Sequence, residues 1–234
     1  MGMHEGILCA SAEWATLHSA LLDECGTIEL QQSLTPDEWL NFPQGQDALH
    51  VISQGGHAYM LDPGMVLTAN PDLAVRLSDS LGCSIVCFGA ETVSGTYWVA
   101  VADKGILRRL HWNVRSSLMQ PLDLGEPLDS EGRIPLEDVD GNGLMACAAE
   151  MGFDPRVVTQ PQMGGERYLW TDLKLPEAGP IQQQIDEHHK VFGRSDKEDW
   201  TKHIKPVPRA DGGFDLQYQQ PTSKPSLVKR IFGR

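Results

Sequence analysis

Three side chains that could ligate a metal alternate along residues 138–143, where Asp138, Asp140 and Asn142 stand at every second position. Gly143 follows directly, and glycine permits the sharp turn that lets carboxylate and amide oxygens face one point. Carboxylate and amide oxygens are ligands that hard divalent cations prefer. We therefore take Asp138, Asp140 and Asn142 as candidate metal ligands.

The hexapeptide resembles the first six positions of an EF-hand calcium loop, which implies Ca²⁺ as the ion. The resemblance ends there, because the family's bidentate Glu at position twelve corresponds to Ala149 and its ligand at position nine to Ala146. Asp, Asn and Gly also form turns, so the stretch equally predicts an acidic turn leading into a helix at 144–151. We expect no resident cofactor, and Ca²⁺ is the one ion that the loop would fit.

Other residue patterns that support catalysis or metal binding are missing from the sequence. His188, His189 and His203 lack a shared ligand spacing, since neighbouring helical residues point about 100° apart. The sequence contains no Gly-x-Ser-x-Gly elbow and no glycine-rich nucleotide loop. Three of the five cysteines lie in apolar segments, where burial disfavours the reactive thiolate. The sequence therefore indicates no catalytic residue.

Two adjacent arginines, Arg108 and Arg109, lie in a predicted strand at 106–112 and therefore point to opposite faces of the sheet. One of them is expected to pair with a carboxylate, for which Glu91 is the candidate, and we interpret that pair as structural. His111, in the same strand, is interpreted as a hydrogen-bonded sheet residue rather than a base.

Charge divides the chain into an acidic and a basic part. Residues 1–155 contain 6 Lys and Arg against 22 Asp and Glu, a net charge of −16, whereas residues 156–234 contain 13 against 10, a net charge of +3. An acidic body repels the phosphate backbone, which argues against nucleic-acid binding. It favours a basic protein partner, or else serves solubility alone. The candidate partner contacts are Glu91, Asp123, Glu126, Asp129 and Glu131.

The clearest fold prediction lies in the first half of the chain. Residues 66–68 predict a strand, and Asn70 with Pro71 predicts a capped helix start. Gly82 predicts the end of that helix, and the apolar run at 83–90 predicts a strand that is covered on both faces. A hairpin of two more strands follows.

A similar order of elements occurs twice. Units 4–62 and 65–113 each predict a strand, a capped helix and further strands, which suggests an internal βαβββ pseudo-repeat with both helices on one face. Sequence identity between the units is low, so two helix starts that obey the same capping rules are the alternative. The predicted fold class is α+β: a largely antiparallel β-sheet with helices packed on one face, followed by a C-terminal extension.

The predicted acidic α+β domain covers residues 1–175 and contains a long polar connection at 115–133. Residues 176–234 form a basic, partly irregular extension with a possible strand at 214–218. The extension ends in an amphipathic tail, which is too short to be a stable helix alone. The tail residues that we take as a candidate binding site are Leu227, Lys229, Arg230, Ile231 and Phe232.

The sequence predicts a cytoplasmic protein without a membrane span. No window approaches the ~18 apolar residues that a span requires, and the N-terminus lacks the basic and apolar regions of a secretory signal. The cysteine count of 5 is odd, which is unlike a disulfide framework.

Together these features predict a non-enzymatic protein-binding module. In its charge the chain looks like the small acidic bacterial immunity proteins that neutralise a basic toxin or effector, an analogy that implies a basic protein partner. One alternative is a hydrolase-like enzyme whose site is assembled from distant residues, and another is an adaptor or structural component recruited through its tail. Converging carboxylates or histidines of shifted pKa in a cleft would favour the enzyme. A flat acidic patch with exposed aromatic residues would favour the binding module.

Overall fold

A computed structural model describes residues 4–41, 48–91, 95–114, 121–136, 141–159, 161–174, 178–192, 204–208 and 214–218. The chain divides into two compact units, Met1–Gly193 and Arg194–Arg234. Among the described residues, no helix combines the length and the apolar character needed to cross a membrane.

The described part of the larger unit contains nine strands and six helices. The strands are β1 (His4–Ala10), β2 (Gly26–Leu34), β3 (Ala48–Gln54), β4 (His57–Asp62), β5 (Ser84–Glu91), β6 (Thr96–Asp103), β7 (Ile106–Val114), β8 (Leu122–Gly125) and β9 (Gly165–Leu173). The helices are α1 (Trp14–Cys25), α2 (Pro36–Asn41), α3 (Pro71–Leu81), α4 (Asn142–Glu150), α5 (Arg156–Thr159) and α6 (Pro180–Phe192).

All nine strands form one sheet in the order β2-β9-β3-β4-β1-β5-β6-β7-β8, and each neighbouring pair is antiparallel. Strands β1 and β5 join the two halves of the sheet, with Leu8 opposite Cys87. The prediction of an α+β fold built on a largely antiparallel sheet is therefore confirmed. Strand β8, with four residues, ends the order on one side.

The sheet is covered on both faces, because its side chains alternate between two apolar layers. On β1, Leu8 and Ala10 belong to one layer, and Ile7 and Cys9 belong to the other. Helices α1, α3 and α6 pack on the first layer, whereas α2, α4 and α5 pack on the second. The prediction of helices on one face is correct for α1 and α3 but incomplete, because helices also cover the second face. Strand β5 is buried at every interior position and therefore needs cover on both sides.

The strand predicted at 66–68 is wrong, because this segment forms turns. Asp62 Oδ2, at the end of β4, accepts hydrogen bonds from the backbone N–H of Leu67 at 2.8 Å and of Thr68 at 3.0 Å, and from the Thr68 hydroxyl at 3.1 Å. These bonds curl the chain around a buried carboxylate. The second unit of the βαβββ pseudo-repeat therefore lacks its first strand.

Helix α3 begins and ends as predicted. The Asn70 side chain accepts a hydrogen bond from the Leu73 N–H at 3.0 Å, and Gly82 ends the helix with a φ of 59° in the left-handed region. Pro71 is the first helical residue. Local sequence alone is enough to define both ends of this helix.

Helix α6 is tied to α3 through Asp72. Its carboxylate accepts hydrogen bonds from the backbone N–H groups of Ile181 at 3.1 Å and Gln182 at 2.7 Å. Ile181 and Ile185 are buried in the first apolar layer. The compact unit therefore extends beyond residue 175, the last residue of the predicted domain, because α6 is part of the core.

Replacing Asp72 with alanine is expected to lower the free energy of unfolding by about 1–2 kcal/mol, because two N–H groups at the start of α6 lose their acceptor. Backbone amides in α6 should then exchange hydrogen faster with solvent. Asp79→Ala is the matched control, since Asp79 is exposed on the same helix. Unchanged exchange in α6 of the Asp72 variant would show that other contacts hold this helix.

The smaller unit contains a strand pair among its described residues. Strands β10 (Ile204–Pro208) and β11 (Phe214–Tyr218) are antiparallel. The strand predicted at 214–218 is thus confirmed. The tail residues Leu227, Lys229, Arg230, Ile231 and Phe232 lie outside the described residues.

Candidate functional site

A group of charged side chains meets where β7 and β8 pair at the end of the sheet. In the β7–β8 register His111 lies opposite Asp123, and Arg109 lies opposite Gly125. Beyond β8 the chain turns, with the Glu131 N–H donating to the Leu128 carbonyl at 3.0 Å, and this turn returns Glu131 to Arg109. We call Arg109, His111, Asp123 and Glu131 the β7–β8 charge cluster.

Arg109 is the centre of this cluster and is only 3% exposed. Its guanidinium donates to both oxygens of Glu131, from Nε at 2.7 Å and from Nη2 at 2.6 Å. Nη2 also donates to Asp123 Oδ1, and Nη1 donates to the Leu110 carbonyl at 3.1 Å. A bidentate contact to one carboxylate and a further contact to another compensate for the loss of water around the cation.

The three charged partners hold one another in the ionised state. Burial opposes the charge of Arg109, but bonds to Glu131 and Asp123 outweigh it and raise the pKa of Arg109. Burial acts to raise the pKa of Asp123, but hydrogen bonds from His111 and Arg109 outweigh it and lower that pKa. Burial likewise acts to raise the pKa of Glu131, but the hydrogen bonds from Arg109 lower it. One guanidinium thus faces two carboxylates, and a negative charge remains.

The cluster has the ligand types of a metal site, but its oxygens are already engaged. His111, Asp123 and Glu131 each place a ligand atom within 4.8 Å of the others. Both Glu131 oxygens accept from Arg109, and Asp123 Oδ1 accepts from Arg109 and lies 2.9 Å from His111 Nδ1. A metal ion would have to displace a buried guanidinium. The geometry therefore favours an ion-pair network over a metal centre.

The contact between His111 and Asp123 also has the form of a general-base pair. A base must reach the proton that it removes from the substrate. The other ring nitrogen of His111, Nε2, is buried and not presented to solvent. This placement supports the interpretation of His111 as a sheet residue.

The cluster corrects two of the sequence assignments. Glu91 was expected to be the partner of an arginine, but Arg109 pairs with Glu131 and Asp123, and Arg108 lies 3.4 Å from Asp103. The reason is the strand order: β8 pairs with β7 and brings Asp123 next to Arg109, whereas β6 separates β7 from β5, the strand that ends at Glu91. Strand β8 lies in the segment 115–133, for which the sequence predicts a long polar connection.

The predicted partner contacts differ in their exposure to solvent. Glu126 and Asp129 are exposed, and Asp123 is 47% exposed despite its bonds to the cluster. Glu131 is 11% exposed, and both of its carboxylate oxygens accept hydrogen bonds from Arg109. Glu91 is half-buried at the end of β5. The structure thus leaves Asp123, Glu126 and Asp129 as acids that a partner could reach.

The loop at 128–134 is fixed to helix α4. Glu150 accepts hydrogen bonds from the backbone N–H groups of Asp129 at 3.1 Å and Ser130 at 2.8 Å. The Ser130 hydroxyl donates to the Cys147 sulfur at 3.5 Å. Loop and helix enclose a groove of about 360 Å³, the α4 groove, which the sequence did not predict. It is lined by Ser130, Arg133, Ile134, Ala146, Ala149 and Glu150.

The candidate calcium loop is described only in part. Asp138 and Asp140 lie outside the described residues. Asn142 is the first residue of α4, and Gly141 before it has a φ of 71° in the left-handed region. The helix predicted at 144–151 is confirmed by α4.

Similarity to characterised proteins does not assign a role to this site. The chain matches no known family model, no characterised protein and no solved structure. The EF-hand resemblance is therefore limited to its six residues.

Proposed function

We propose that this chain is a non-enzymatic protein-binding module that docks a basic protein through residues 121–136. The proposal follows the immunity-type analogy, in which an acidic protein neutralises a basic toxin or effector. It is supported by one observation: Asp123, Glu126 and Asp129 are accessible on a segment that Arg109 and Glu150 anchor to the fold.

Anchoring matters because a fixed acidic surface loses little conformational freedom when a partner binds. Residues 121–136 contain four carboxylates and one arginine. Two of the carboxylates, Asp123 and Glu131, also contact Arg109 of β7. Such a field attracts a basic partner over long range and raises the rate of association. Nucleic acid is disfavoured by the same charge.

A bacterial, cytoplasmic origin belongs to the same proposal. All five cysteines are free, and four of them are buried, which suits a reducing compartment. Recruitment through the tail residues at 227–232 stays a separate prediction. A hydrolase-like activity is the rival function. The contact of His111 with Asp123 has the form that such an activity needs, but the burial of His111 Nε2 counts against it.

Reversing two accessible charges, Glu126→Lys together with Asp129→Lys, is expected to slow association with a basic partner about 10-fold at low salt. The effect should shrink at physiological salt, where the screening length is about 8 Å, and the dissociation rate should change little. A basic protein would first be captured from lysate on the wild-type chain. Its binding kinetics would then be measured by biolayer interferometry at several salt concentrations.

Asp23→Lys together with Asp79→Lys is the matched control, because it makes the same change in net charge at exposed positions on α1 and α3. An equal slowing in both double variants would indicate that total charge, rather than residues 121–136, steers binding. Failure to retain any basic protein at any salt concentration would contradict the proposal. Turnover of a small molecule by the purified chain would show that the chain is an enzyme and would refute the non-enzymatic proposal.

A further inference from the structure

We propose that the α4 groove receives one aliphatic side chain of the basic partner, while neighbouring acids hold the cations that flank it. This inference rests on the proposed function and adds the place at which the partner is anchored. It assigns a ligand of stated chemistry: an aliphatic residue between lysines or arginines.

The groove is apolar because small residues face it from the helix. Ala146 and Ala149 are three residues apart on α4 and therefore share one side of the helix. Ile134, a partly exposed apolar side chain, faces them from the loop. The volume of about 360 Å³ lies at the lower end of the range for ligand pockets and has room for a single side chain with its backbone.

The walls of the groove are held in place before anything binds. Ser130, which lines the groove, donates a hydrogen bond to Cys147, and Cys147 is fully buried. Glu150 holds the backbone of Asp129 and Ser130. Arg133 Nε donates to the Asp129 carbonyl at 3.3 Å. A preformed groove favours binding because little has to be ordered on association.

Charge at the rim selects the kind of partner. Glu150 and Asp129 are exposed acids on the two segments that form the groove, and Arg133 is the cation that lines it. Asp123 on β8 and Glu126 directly after this strand precede the loop in sequence and add further negative charge. An acidic peptide would be repelled, and an uncharged one would use only the apolar part. The rim therefore fits an aliphatic residue that is flanked by cations.

The probes that test this assignment are three labelled peptides: Lys-Lys-Leu-Lys-Lys, Lys-Lys-Gly-Lys-Lys and Glu-Glu-Leu-Glu-Glu. Their affinities for the full chain would be measured by fluorescence anisotropy at low salt. The leucine-containing basic peptide is expected to bind about 10-fold more tightly than its glycine counterpart, because its side chain leaves water. The acidic peptide is expected not to bind.

The variant Ala149→Leu would fill the groove from the exposed side of α4. It is expected to abolish the preference for leucine, because it excludes the leucine side chain and so makes the affinities of the two basic peptides for this variant equal. Ala15→Leu, the same change at an exposed position of α1, should keep the preference. These two variants separate the groove from a general effect of added apolar surface.

Several outcomes would overturn the inference. The groove would be ruled out as the anchoring site if the two basic peptides bound equally, or if the preference for leucine survived in Ala149→Leu. Charge-steered docking would be unaffected by either result. Tight binding of the acidic peptide would show that the groove ignores charge. No binding of either basic peptide at low salt would count against the proposed function itself, and the inference would fall with it.

Discussion

Replacing Arg109 with methionine is expected to lower the free energy of unfolding by about 3–5 kcal/mol, since it leaves a largely buried carboxylate without its cationic partner. Glu131 is 11% exposed and accepts two hydrogen bonds from Arg109, and among the described residues only the Leu128 N–H, 3.0 Å from Oε1, would still donate to it. Asp123 loses a partner as well but can turn toward water. Urea denaturation at neutral pH would measure the loss, with the midpoint and the slope compared between variants.

Arg108→Met is the matched control on the neighbouring residue of β7. Arg108 is 54% exposed and lies 3.4 Å from Asp103, so its loss is expected to cost about 0–1 kcal/mol. The double variant Arg109→Met with Glu131→Gln should recover part of the stability, because it removes the uncompensated charge. A loss below about 1 kcal/mol for Arg109→Met would show that the cluster is not a structural anchor.

Features that depend on neighbouring residues could be predicted from the sequence. The cap at Asn70, the proline at position 71 and the left-handed Gly82 define α3 within one short segment, and the structure shows each of them. The continuous apolar run of β5 predicted a strand covered on both sides. These predictions succeed because capping and burial patterns are local properties of the chain.

Features that depend on contacts distant in sequence could not be predicted. Residues 66–68 have strand-forming side chains, yet the carboxylate of Asp62 draws their backbone into a turn. Asp72 suits the start of its own helix, yet it caps α6, 109 and 110 residues later. Nothing in the local sequence indicates which distant N–H group a carboxylate will accept.

The candidate site shows the same division. The sequence indicates that one of two adjacent arginines needs a carboxylate and offers Glu91, but the partners of Arg109 lie 14 and 22 residues after it. Strand β8 was not predicted, and it positions these partners. It has only four residues, Leu122–Gly125, and its alternation of apolar and polar side chains is a weak strand pattern. Without that strand, neither the charge cluster nor the α4 groove has a position in the fold.

Replacing Val86 with aspartate is expected to abolish folding of the larger unit. Val86 is fully buried on β5, between Cys9 of β1 and Val101 of β6. It lies in the second apolar layer, which α4 covers. An unpaired carboxylate there would meet no water, and its desolvation can exceed the roughly 5–15 kcal/mol that typically stabilises a domain. Circular dichroism during heating should show no cooperative transition.

Two variants separate the buried charge from lesser effects. Val86→Ala removes only apolar contacts and should keep a cooperative transition, with a loss of about 1–3 kcal/mol. Ile106→Asp introduces the same charge on β7 at a side chain that is 55% exposed, where water solvates it, and should cost less than about 1 kcal/mol. If Val86→Asp melted cooperatively near the wild-type temperature, β5 would have to lie at an accessible edge. The pairing of β1 with β5 that joins the two halves of the sheet would then be wrong.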